Sequence, residues 1–70
     1  MSRSVQVEVD EVRRVFDLLG RMNSLFHQPL HYEDPQVVER FAQDNYSEIS
    51  KLYYQVVWKW LPQDVQEEIM

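Results

Sequence analysis

From Asp10 to the end of the chain the apolar residues recur three and four positions apart, and nothing beyond Val9 alternates in the period of a strand. That spacing predicts an all-α fold, in which three prolines and a single glycine decide where helices begin and end. Val12, Val15, Phe16, Leu19, Met22 and Phe26 draw one apolar stripe and predict a first helix with Asp10 as its cap. Asp10 with Arg14, and Asp17 with Arg21, stand four apart with the acid first, the orientation that supports a helix. Gly20 falls inside this helix and weakens it by about 1 kcal/mol relative to alanine, which calls for a close helix contact or an early stop.

His27 to Glu33 reads as a loop, because Pro29 interrupts a regular helix between two periodic segments. Asp34-Pro35 is a start signal for a second helix: the aspartate accepts from free amides of the first turn, and proline at the first position forfeits no bond. Val37, Val38, Phe41 and Ala42 are expected to face inward. The periodicity from Val38 to Trp60 would allow one uninterrupted helix, but Asn45 falls on its apolar side and, with Glu48 three residues on, matches the capping pair of a fresh helix. We therefore expect a break there. Leu61-Pro62 ends the third helix, since the residue before proline is pushed out of helical geometry, and Gln63 to Ile69 makes a short fourth. The expected architecture is a small bundle of three main helices plus a short C-terminal helix over residues 10–70. Residues 1–9 form an extended or flexible arm, in which Val5, Val7 and Val9 alternate like a strand that could add to another sheet edge.

Seventy residues support one core and little more, and with no cysteine there are no disulfides or thiolate metal sites to reinforce it. Association is the remaining reinforcement. An aromatic share of 13% is too rich for a disordered chain. No secretory leader or membrane-spanning run is visible, so a cytoplasmic protein that does not enter membranes is expected. The formal charge of −5 repels phosphate backbones and suits a basic partner.

Tyr46 to Leu61 carries more apolar surface than one core face can use. Ile49, Leu52, Tyr53, Val56, Val57 and Trp60 share one side, while Tyr54, Trp58 and Leu61 line the opposite flank. Either the C-terminal helix or the 27–33 segment covers that second stripe, or it is an interface, where tyrosine and tryptophan bury much area with few rotors. His27 and His31 are four apart, but Pro29 separates them and no further histidine or cysteine completes a metal set. With both histidines in that segment, no glycine-rich turn around a serine and one glycine in all, neither a hydrolytic triad nor a phosphate loop is expected. The reading is no enzyme, no cofactor and no metal. A helix-turn-helix DNA reader is disfavoured because only Lys51 and Lys59 are basic in the third helix. Asp34, Glu39, Asp44, Glu48, Asp64, Glu67 and Glu68 instead crowd the second half as a solvated face or as steering charge.

The spacing of Phe41, Ile49, Leu52, Trp58, Leu61-Pro62, Val65 and Ile69 resembles that of the small enterobacterial haemolysin-expression-modulating regulators. The resemblance covers about the last thirty residues; Asp44-Asn45-Tyr46-Ser47 stands where that family carries its polar signature. It implies an all-helical adaptor that binds a nucleoid-associated protein and tunes gene silencing.

Together these readings lead to a small acidic protein-binding module of adaptor, inhibitor, immunity or antitoxin type. Its partner-binding residues are expected to be Tyr54, Trp58 and Leu61 as apolar anchors, with Glu48 and Asp44 as charge. The partner is another protein, basic or nucleic-acid-binding, with direct nucleic-acid contact disfavoured. The alternative is a homodimeric or DNA-associated helical regulator, the dimer forming through the same stripe.

Overall fold

A computed structural model describes residues 3–70. Residues 3–8 carry neither helix nor strand, and Glu8 is extended where the chain enters α1 (Val9–His27). The expected Asp10 cap is not formed. Asp10 and Glu11 lie inside the first turn, where their charge faces the positive end of the helix dipole. The segment expected as a loop holds a single helical turn, α2 (Pro29–Tyr32): Gln28 breaks α1 in extended geometry, and proline at the first position of the new turn needs no amide partner. The Nδ1 of His31 lies 3.1 Å from the Ser24 carbonyl, tying this turn to α1. As expected, Asp34 caps the next helix, α3 (Pro35–Lys51), its carboxylate accepting from the Gln36 amide at 2.9 Å.

The expected break at Asn45 is absent. The helix runs on from α3 through a π-helical segment, Leu52–Val57, into α4 (Trp58–Trp60), giving one rod from Pro35 to Trp60. The anticipated three main helices are thus two, α1 and the rod, packed as a hairpin. Asn45 does not need to cap anything because its polarity is met from across the hairpin. It is 6% exposed; its Nδ2 donates to the Phe41 carbonyl at 2.9 Å, and its Oδ1 accepts from the Arg21 guanidinium. Glu48, expected to complete the cap, pairs with Arg14 at 3.5 Å instead. The two arginines expected to pair within α1 therefore hold the rod, and of the local pairs only a bond from Arg21 Nε to the Asp17 carbonyl remains.

Leu61 is extended (φ −75°, ψ 134°) before Pro62, so the rod ends where the sequence indicates, and α5 (Gln63–Ile69) follows. Gln66 Nε2 donates to the Trp58 carbonyl at 2.7 Å and turns α5 back along the rod's end. The N-terminal segment crosses to the same place: the Arg3 guanidinium grips both oxygens of Asp64 at 2.9 and 3.0 Å. Among the described residues there is no strand, so Val5 to Val9 do not pair as one.

The core is small. Leu18, Leu52 and Val56 form its buried cluster, with Val15, Met22, Ile49 and Trp60 packed against it, and Leu25 is buried nearer α2. Four buried apolar side chains at about 1.5–3 kcal/mol each make a thin reserve for a domain. Here the stripe expected on α1 is corrected: the burying residues are Leu18 and Leu25, whereas Val12, Phe16, Leu19 and Phe26 face solvent, Phe16 at 72%. On α3, Val37 and Phe41 are half-buried, but Val38 and Ala42 are exposed. No helix among the described residues is long and apolar enough to cross a membrane.

Candidate docking site at the aromatic end of the rod

The π-helical segment decides what this end of the rod presents. A π turn is wider than an α turn, so residues after it are rotated relative to a regular helix. Leu52 and Val56 stay buried on either side of the insertion, and Trp60 is brought back over the core, where its indole N–H donates to Glu11 Oε1 at 3.2 Å. Tyr53, expected on the core side with Leu52, is instead turned outward and is 64% exposed. It stands edge-on to Tyr54, ring centroids 4.9 Å apart at 86°, the arrangement favoured by aromatic quadrupoles.

Tyr53, Tyr54 and Trp58 line a shallow hollow of about 250 Å³. Tyr54 is exposed and Trp58 half-buried, so the wall is partly open to solvent. Leu61, the third expected anchor, is half-buried where the chain turns into α5. Neither candidate cover hides the stripe: α5 reaches the Trp58 carbonyl through Gln66 but leaves Tyr54 open, and α2 sits at the opposite end of α1.

The two expected acidic residues lie elsewhere. Glu48 is half-buried in its ion pair with Arg14, a contact that holds α1 to the rod. Asp44 is exposed on a second cleft of about 460 Å³ between α1, α2 and α3, floored by Leu25, Val37 and Phe41 and rimmed by Arg21, His31 and Arg40. Of the five expected residues, then, Tyr54 and Trp58 share a wall with Tyr53, and Glu48 and Asp44 are not brought to it. Tyr53 stands one residue from buried Leu52 and seven from exposed Tyr46, at the border of the apolar sector, where the helical period alone does not decide burial. Among the described residues no cluster of histidine, aspartate or glutamate could hold a metal ion. The carboxyl of Asp64 is held below the ordinary carboxylate range by its hydrogen bonds from Arg3. No family model, curated protein or solved structure matches this chain.

Proposed function

We propose that the chain is a protein-binding module of the adaptor, inhibitor, immunity or antitoxin type, and that its partner docks on Tyr53, Tyr54 and Trp58. The observation that carries this reading is the outward pair of tyrosines beside a half-open tryptophan, on a rod whose core face is already satisfied by Leu52 and Val56. Tyrosine and tryptophan supply rigid area with a polar handle, the composition of binding hot spots. The partner is a protein with an apolar knob set in basic surroundings, because the chain carries −5 and would steer such a surface toward itself. The same charge opposes a phosphate backbone.

The test is capture of partners by the tagged chain, compared with Tyr54→Ala and Trp58→Ala, with circular dichroism on each variant. The expected result is a partner lost by both variants at undiminished helicity, with association slowing as salt rises. Capture that both variants retain would overturn the assignment of this site.

A further inference from the structure

The outer face of α1 is a second apolar surface, separate from the aromatic end of the rod, and it is periodic. Val9, Val12, Phe16, Leu19, Asn23 and Phe26 are spaced three and four apart in strict alternation, the a and d positions of a heptad repeat. Val9, Val12, Phe16, Leu19 and Phe26 are all exposed, and no charge interrupts the seam. Its one polar position, Asn23, is also exposed.

Helix geometry places this seam on one side of the hairpin. The contact between α1 and the rod is closed along one edge by Arg14–Glu48 and Arg21–Asn45. Along the other edge lie Val15, Met22 and Ile49, packed against the core. At about 100° per residue, continuing round α1 past Val15 and Met22 leads to Leu19, Val12 and Phe16. Continuing round the rod past Ile49 leads to Tyr46, which is 64% exposed. One side of the hairpin is therefore polar and sealed, and the other is apolar and open.

The surface of the whole chain leaves room for an interface. A folded chain of 8.5 kDa is expected to expose about 4,650 Å² from the scaling of surface with mass. This chain exposes 6236 Å², an excess of about 1,600 Å², where stable complexes bury about 800 Å² per partner and obligate homodimers more. Its radius of gyration, 15.0 Å, exceeds the roughly 11 Å expected for a compact body of 70 residues, because the hairpin is elongated, 42 Å by 25 Å by 22 Å.

We propose that a second copy of this chain covers the seam, the two α1 helices lying side by side and parallel about a two-fold axis. A heptad seam takes a helix as its occupant, and this chain supplies a matching one. Asn23 is self-complementary, since its amide both donates and accepts, and a lone asparagine at an a position fixes register in parallel pairs at some cost in stability. Gly20 borders the seam between Phe16 and Asn23, and a Cβ added there meets nothing within 4 Å inside the chain. Its helix-weakening effect has no explanation within one copy, whereas a neighbouring helix approaching closely supplies one. The proposal does not rest on the aromatic docking site.

Sedimentation of the full chain across a concentration series is expected to show twice the monomer mass at high concentration. Leu19→Glu should give a monomer, and Tyr54→Ala should stay dimeric, which separates this face from the one assigned to the partner. Because a dimer-dependent fold could melt in Leu19→Glu, a second variant is needed. Asn23→Cys, in a chain with no other cysteine, should form a disulfide-linked dimer under mild oxidation, while Asp17→Cys on the opposite flank should not. A wild-type chain monomeric throughout, a dimer that survives Leu19→Glu, or a dimer in which Asn23→Cys fails to cross-link would each overturn the proposal.

Discussion

Replacing Asn45 with alanine tests the feature that most separates this fold from a three-helix bundle. Two side-chain bonds are lost, one to the Phe41 carbonyl and one from the Arg21 guanidinium. A neutral bond contributes about 1 kcal/mol and one to a charged group about 1.5–3 kcal/mol, so the gross loss is about 2.5–4 kcal/mol. Alanine returns about 0.6 kcal/mol of helix propensity, and Arg21, itself largely in solvent, can rehydrate. The net destabilisation should be about 1.5–3 kcal/mol. Against a total of about 3.5–10 kcal/mol for a chain of this length, that shift is readily measured by urea unfolding followed by far-ultraviolet circular dichroism. A double-mutant cycle with Arg21→Met should return a coupling of about 1–2 kcal/mol, and the same cycle with Glu48→Ala almost none. If Asn45 instead began a helix, its coupling would be to Glu48 and its removal would raise helicity by fusing two helices. Either outcome, or a neutral Asn45→Ala, would refute the reasoning.

Leu52 is 2% exposed at the centre of the cluster with Leu18 and Val56, so Leu52→Ala should cost about 2–5 kcal/mol in the same assay, enough to leave the chain marginally folded. The Arg3–Asp64 contact should respond to acid. The folded-state pKa of Asp64 lies below its unfolded value, so its contribution is present above the ordinary carboxylate range and is lost as pH falls through the lowered value. Chemical shifts of Arg3 and Ser4 should move with that titration and should not move in Asp64→Asn.

Local chemistry in this chain is legible and long-range chemistry is not. Asp34-Pro35 and Leu61-Pro62 act on backbone within two residues of themselves, and the structure starts and stops helices at both. Asn45 carries the same kind of local signal, but the guanidinium that satisfies it comes from a residue 24 positions away. On α1 the apolar sector is wide enough to hold both Leu18 with Leu25 and Val12 with Phe16 and Leu19. Periodicity shows that both sets exist, and only the position of the rod decides which is buried. The candidate site is half legible for a similar reason: Tyr54 and Trp58 follow from spacing, whereas Tyr53 lies at the border of the apolar sector, in line with exposed Tyr46, and only the position of α1 decides its burial. Glu48 and Asp44 offer only the sign of their charge in the sequence, and charge carries no direction until the helices are placed.

The π-helical stretch at Leu52–Val57 also bears on how the rod tolerates change in length. An ordinary helix that loses one residue swings everything downstream by more than a quarter of a turn, and here that would pull Trp60 off Glu11. This rod already holds a surplus residue among exposed positions such as Tyr53, Tyr54 and Gln55. Shortening it by one there would let the hydrogen-bond ladder relax to the regular pattern while both tryptophans keep their bearings.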